Sequence, residues 1–508
     1  MLKCDWYKRP LRHKRIDPAA FVRVESDSNA FQGYKIVKLA DIKFPFLLGE
    51  DAVIIDFGDH YTGYLQIALD NGTEDHIADS PANLVFRFAE MPVELAEEIE
   101  KKPNSLSVGW AQKDFKTVAF MPYQGSLERR YSFRYVEIKR VDSVYFPIKV
   151  QSLSIDSVSA VDVESAKKVE IKDELLRKID AMCVKTLAEC EQDVFEDGPK
   201  RDRRLWIGDL RLQALVDYET FGNTDLIKRC IYLFAEHRNQ KGLVAPCVFP
   251  DTPPYVDQWI YLDYSLCLIP CIYDYMIHTG DTELAEELYS AALQQAEYAD
   301  SVFNREERRI DAPFFIDHAG FDRTIAALGY YSYVLRRLLA IARRLCRETE
   351  RIEGMLADSD RALFSYFDPE SGFFVAENGE ISWHSQTWAA LSGALSVDRA
   401  ADLLKRTVEK DPEIRFSSPF MMHYYLEALF QNGLAETALA RMKEYWGAML
   451  AAGFDCCPEC FQPGNDRLTP YVNLALNSAC HAWSCTPAYW IRRYYANELS
   501  AAPESDRA

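Results

Sequence analysis

A chain of 508 residues is long for one ordinary domain and fits about three, or one large helical domain with an accessory one. Hydrophobic residues make up 48% and charged residues 27%, which supplies a large core and excludes global disorder or a small stapled module. The 78 Asp+Glu against 58 Lys+Arg give a formal charge of -20, a field that repels phosphate backbones and anionic lipid, so neither nucleic acid nor membrane is expected as a partner.

In chain order, residues 1–10 mix charged and aromatic side chains, with no run of about 7–15 apolar residues ahead of a cleavage site. Nowhere do about 18 apolar residues follow one another. The 13 cysteines are scattered singly through helical stretches, as at Cys183, Cys190, Cys230, Cys267, Cys271 and Cys346. They read as buried thiols in a reducing cell, not a disulfide framework, and the expected location is cytoplasmic. Short apolar runs at 52–57, 64–68, 84–88, 117–120, 133–138 and 144–150, separated by Gly, Asn, Asp and Pro, predict a β-sandwich accessory domain over residues 1–165. The acidic stretch 156–170 reads as a connector. From residue 172 helical spacing takes over, at 175–190, 210–221, 225–237, 259–278, 281–302, 322–347 and 420–431. The remaining length holds about a dozen helices, or six hairpins. No strict sequence repeat supports a solenoid, so the fold class is an N-terminal β-sandwich followed by an (α/α)6 toroid of six helical hairpins at 166–498, with 499–508 a disordered tail.

The segment 196–209 carries the most chemistry. Gly198-Pro199 forces a turn after the first long helix, so Glu196, Asp197, Asp202 and Asp209 crowd with Arg201, Arg203, Arg204 and Trp206 onto one connection. A charged surface loop pairing with itself is the plain alternative. A tryptophan beside carboxylates is also how sugar sites stack an apolar ring face.

In register, Asp197, Pro199, Arg201, Arg203, Trp206, Gly208 and Asp209 fit the pattern D-C-P-x-R-E-R-x-x-W-x-G-D. The block thereby resembles the signature of family 78 glycoside hydrolases, the α-L-rhamnosidases. Asp202 stands where that family carries its general-acid Glu, one methylene shorter. A longer form of the pattern, R-D-E-R, would instead match Asp202 to the Asp and place the acid at Arg203; the ungapped register is preferred. Further on, 446–461 resembles the family's late helix and the turn bearing its general base, which implies that role for Glu459. The stretch 477–484 resembles the family's Asn/Ser-x-x-His segment, with His481 at the sugar. Ser132-Phe133-Arg134-Tyr135-Val136 is similar to one of the family's sandwich strands.

The resemblance implies an inverting, exo-acting glycosidase that removes a terminal sugar, with no cofactor and no metal expected, and the expected cytoplasmic location adds small glycosides as its substrates. Glycoside hydrolysis by inversion needs one protonated carboxyl to protonate the leaving oxygen and one ionised carboxyl to activate water, about 6.5–9.5 Å apart. Asp202 and Glu459 would divide that work. Asp197 and Asp209 would accept from sugar hydroxyls, Arg201 would bridge to them, and Trp206 would pack on the ring. Trp259 and Asp263, expected on one helix, and Asp317 beside His318 resemble further cavity positions. Trp383, His384 and Gln386 open another helix, where core packing is the alternative to sugar contact.

Other readings stay open at this level. Cys457-x2-Cys460 with Cys480-x4-Cys485 approaches zinc spacing, but zinc there would put Glu459 between two ligands, and unligated thiols are expected. A carbohydrate-binding protein that has lost its acid, or an (α/α)6 glycosidase of other sugar specificity, would share the fold. Oligomeric state is not read from the sequence.

Overall fold

Residues 82–89 bury every second side chain, Ala82, Leu84, Phe86 and Phe88, as an antiparallel strand with one face on a core requires. The computed structural model describes residues 2–73, 79, 81–98, 105–142, 147–250 and 253–498. Its N-terminal part is an antiparallel, sandwich-like sheet. The spine runs Arg12–Ile16, Ile148–Ser159, Val53–Asn71, Tyr131–Arg140, Ala82–Ala89 and Lys113–Val118. Ile55, Leu65, Phe86, Phe133, Val136 and Ile155 lie in its core.

The runs 52–57 and 64–68, read as two strands, are one strand of 19 residues. Its register against Tyr131–Arg140 shifts between Asp56 and Tyr61, where Gly58 has φ +85° and donates its N–H to Asp56 Oδ1. That is a bulge, which bends a strand without ending it. Strands Ala20–Ser26 and Tyr34–Asp41 were not among the expected ones; they pair with each other and alternate weakly because much of the second is exposed. The strand expected from residue 144 begins at Ile148, and residue 144 lies outside the described residues. Of the acidic stretch, residues 156–159 still belong to strand Ile148–Ser159.

The helical part divides into two kinds of helix. Val397–Lys410 buries only Ala400, Leu403, Leu404 and Thr407, one stripe at helical spacing. Trp383–Leu391 is buried at every position, and Ile207–Glu219 from Ile207 to Asp217. Six helices form an inner ring: Ile207–Glu219, Leu268–Thr279, Thr324–Arg344, Trp383–Leu391, Pro419–Gln431 and Pro487–Tyr494. Six others wrap it: Glu174–Cys190, Thr224–Glu236, Glu283–Ser301, Glu350–Phe364, Val397–Lys410 and Ala435–Ala451. The ring closes where Pro487–Tyr494 packs on Ile207–Glu219 and on Glu174–Cys190. Two expectations are corrected. Trp259 precedes its helix, which starts at Leu262, and the last helix ends at Tyr494, after which Asn497–Glu498 pairs as a strand with Val169–Glu170. The tail 499–508 lies outside the described residues.

Buried charges cross from sheet to toroid. The Lys200 side chain is fully buried, donating to Glu94 Oε2 at 2.7 Å and to the carbonyls of Ala475 and Asn477. Arg130 grips both oxygens of Glu196 at 2.6 and 2.7 Å. Arg134 joins Asp56 to Asp455 at 2.9 Å each.

Candidate active site

Asp197 folds the loop 196–209 around itself. Its two carboxylate oxygens accept from the backbone N–H groups of Asp202 and Arg204, both at 3.1 Å. Its own carbonyl accepts from Ala482 N at 3.0 Å, which ties this loop to the segment carrying His481. Gly198 is required by close approach: a Cβ there would stand 2.8 Å from the Arg201 carbonyl and 3.0 Å from that of Cys480. Arg203 takes a left-handed φ of 62° and has Arg130 and Glu196 as electrostatic neighbours. Asp202 has Arg201 and Arg204 as its neighbours, each with a guanidinium nitrogen 3.8 Å from a carboxylate oxygen.

The Glu459 loop meets this one through Arg201. Arg201 Nη2 is 2.5 Å from Glu459 Oε2, and Arg201 Nη1 is the nitrogen beside Asp202. One guanidinium therefore spans both carboxylates. It is held by Nε donating to Leu476 O at 2.8 Å and lies over the Tyr471 ring at 3.9 Å. The Tyr471 hydroxyl donates to Glu459 Oε1. Glu459 N–H donates to Ser478 O at 3.0 Å, and the Trp483 indole N–H donates to the Glu459 carbonyl at 2.9 Å.

The two carboxyls are tuned in opposite directions. Burial raises the proton affinity of Asp202, and Arg204 and Arg201 only partly oppose it. Burial works against the charge on Glu459 too, but Arg201, then His481 and His318, outweigh it and hold the carboxyl below the usual range. Asp197 is pushed up to about 8 by burial and by the Asp202 charge. Asp209 is raised by burial and by Asp197. Burial pushes His481 down to about 4, so its imidazole is neutral near pH 7. Its Nδ1 stands 3.5 Å from Asp209 Oδ1, and neither atom has a hydrogen-bond partner. The Trp206 indole N–H is turned toward Asp202. Buried polar atoms left open, as on Asp209 and His481, are what a polyhydroxylated ligand would satisfy.

Comparison with known proteins names the scaffold. Residues 18–157 match the glycosyl hydrolase family 78 alpha-rhamnosidase N-terminal domain, and residues 164–495 the bacterial alpha-L-rhamnosidase 6 hairpin glycosidase domain. A Klebsiella oxytoca rhamnosidase with rhamnose bound is 34% identical, with a TM-score of 0.92 over 97% of each chain. The chain belongs to glycoside hydrolase family 78. The Bacillus sp. GL1 family 78 rhamnosidase, 20% identical at a TM-score of 0.75, shares the fold over 91% of this chain and 50% of its own. The Streptomyces avermitilis α-L-rhamnosidase complexed with L-rhamnose is 15% identical at 0.68, over 96% of this chain and 44% of its own. Comparison with curated proteins returns no match.

Around the two carboxylates this family 78 glycosidase sets an aromatic wall. Trp206 lies 6.2 Å from Trp259, which is 43% exposed at the rim, and Trp259 lies 5.2 Å from Tyr261. The wall continues through Phe315 to the exposed His318, 5.0 Å on, and to Trp483. His318 and Cys460 both approach the Glu459 carboxylate within 4.8 Å. Asp263 and Asp317 differ from the sugar-contacting role expected of them. Asp263 accepts from the N–H groups of Phe315 and Ile316, fixing the loop that carries Phe315. Asp317 is fully buried and accepts from His384 at 2.8 Å, Ser417 and Ser418. His384 thus serves Asp317, and Gln386 bonds the Phe374 backbone.

Sequence reasoning passed over Tyr471 and Arg204. Tyr471 lies in an irregular segment with no motif, and only its approach to Arg201 and Glu459 reveals it. Arg204 was one of several loop cations; its pairing with Asp202 and its packing 4.4 Å from Phe249 set it apart. No helix is long and apolar enough to cross a membrane among the described residues. The cavity of about 890 Å³ at the far pole of the toroid does not hold this site: there Arg211 pairs with Asp274 and Arg337 with Glu427, each at 2.9 Å.

Proposed function

We propose that this glycosidase is an exo-acting, inverting α-L-rhamnosidase that removes a terminal rhamnosyl unit from small glycosides in the cytoplasm, with residues 166–498 as the catalytic unit and 1–165 as its accessory sandwich. The observation that carries the mechanism is the single Arg201 guanidinium between a carboxyl tuned up, Asp202, and one tuned down, Glu459. Pairs pushed apart in this way divide acid from base. Asp202, protonated, gives its proton to the glycosidic oxygen as the bond to the anomeric carbon breaks. Glu459, ionised, takes a proton from the water attacking the opposite face. A guanidinium's breadth plus its two contacts is on the scale of the about 6.5–9.5 Å that leaves room for that water. The side-chain surroundings of Asp202, against those of Arg203, support the ungapped register.

Asp197, Asp209 and His481 contact the sugar hydroxyls, and Trp206 and Trp259 cover its apolar face, where a 6-deoxy sugar presents a methyl. Asp263 and Asp317 are positioning residues. The choice of rhamnose rests on the 34% identical Klebsiella oxytoca relative, whose structure has rhamnose bound. Turnover of aryl α-L-rhamnosides, followed by NMR of the first sugar anomer released, tests the reading. Release of the β-anomer supports it; release of the α-anomer overturns inversion, and preference for another aryl glycoside overturns the sugar.

A further inference from the structure

Behind the Glu459 loop, three soft ligand atoms meet where sheet and toroid join. His60 lies on strand Val53–Asn71, Cys456 follows helix Ala435–Ala451, and Cys480 precedes His481. Their ligand atoms all lie within 4.8 Å of one another, and all three residues are buried. The imidazole is already oriented. His60 Nε2 is 2.9 Å from Ser132 Oγ and 3.2 Å from Glu90 Oε1. Ser132 spends its own proton on Glu90 at 2.9 Å, so Nε2 is the donor and carries the hydrogen. That leaves Nδ1 turned toward the Cys456 thiol, where a metal ion would take the place of a proton. Glu189 Oε2 faces it at 3.9 Å and has no hydrogen-bond partner.

A buried imidazole whose second nitrogen donates to a carboxylate, next to two thiols and an open carboxylate oxygen, is a metal-ligand constellation with its supporting shell in place. We propose that His60 Nδ1, Cys456 Sγ and Cys480 Sγ hold a structural zinc ion in a tetrahedral site whose fourth ligand is Glu189 Oε2, which must rotate in from its place 3.9 Å from His60 Nδ1. Thiolate and imidazole donors select zinc over magnesium or calcium. Binding sends the two thiol protons to solvent. Two thiolates and one carboxylate leave the ion one negative charge, and Lys185 Nζ, 3.3 Å from Glu189 Oε1, balances it. Among His60, Cys456 and Cys480, 4.8 Å must close to the about 3.5 Å between ligands of a tetrahedral zinc, and Glu189 must move further. The set differs from the one suggested by sequence spacing: the Cys457 thiol faces Cys183 at 3.7 Å, and Cys460 sits beside Glu459. The ion would staple the sandwich to the backbone three residues before Glu459 and one before His481.

Titrating the full-length, reduced, chelator-treated protein with Co²⁺ tests this. The expected result is intense tetrahedral d–d absorption with a thiolate charge-transfer band saturating at one equivalent, displacement by Zn²⁺, and a higher Tm with Zn²⁺ bound. Cys456→Ser should roughly halve the charge-transfer intensity, leaving the part due to Cys480, and Glu90→Gln should weaken Co²⁺ about 10–100-fold. Cys457→Ser and Cys346→Ser should change neither spectrum nor stoichiometry. A weak octahedral spectrum without charge transfer, no stoichiometric binding by the wild-type protein, or a spectrum lost in Cys457→Ser but kept in Cys456→Ser would overturn the proposal.

Discussion

Asp202 and Glu459 hold their protons differently although one arginine touches both, and the pH profile should show it. Activity needs Glu459 ionised, so kcat/KM rises with pH through a pKa below the ordinary glutamate value of about 4.3. It also needs Asp202 protonated, so kcat/KM falls as pH climbs through a pKa above about 3.9. Arg204 is the first charge opposing that rise, and Arg204→Gln should move the alkaline limb to higher pH while the acid limb stays. Asp202→Asn should cost about 10²–10⁴ in kcat on alkyl glycosides and much less on aryl glycosides whose leaving group needs no proton. Glu459→Gln should lose a comparable factor on both; equal losses for both variants on every substrate would refute the division of roles. Asp197, at about 8 in the fold, binds its proton more tightly than in the unfolded chain. Its contribution to stability is full below about pH 3.9 and fades as pH rises through 8, so the Tm of Asp197→Asn should gain on the wild type over that span.

At the scale of elements, the acid loop depends on the absence of a side chain at Gly198. Gly198→Ala places a Cβ against two backbone carbonyls, and kcat should fall by at least tenfold while far-UV circular dichroism is unchanged. Strands such as 82–89 and helices such as 281–302 were legible because burial follows a period of two or of 3.6. The bulged strand 53–71 was not, since Gly58-Asp59 carries the composition of a turn while the backbone continues through it. Asp202 and Glu459 were legible through the family pattern, yet the direction in which each is tuned was not. It depends on Arg201, Arg204, His481 and His318 converging from separate segments. Asp263 and Asp317 show the limit from the other side, because a carboxylate near a sugar site and a carboxylate bracing its loops have the same sequence signature.

Across the whole molecule, the sandwich contributes counter-charges to the catalytic loops. Lys200, next to the bridging Arg201, meets Glu94 of the short helix Val93–Ala96 at 2.7 Å and Glu90 at 3.6 Å, and Glu196 is paired with Arg130. Removing one partner of such a buried pair costs about 3–5 kcal/mol, so Arg130→Ala, which takes from Glu196 the arginine gripping both its oxygens, should lower the urea midpoint by that equivalent. Residues 166–498 expressed alone should fail to give a cooperative unfolding transition. The same seam limits how the two halves can be exchanged. A hybrid made by grafting a relative's N-terminal half onto this toroid inherits stranded charges unless residues 196, 200 and 455 are matched to their new neighbours, so recombination at this boundary must move a set of side chains that the linear cut point does not mark.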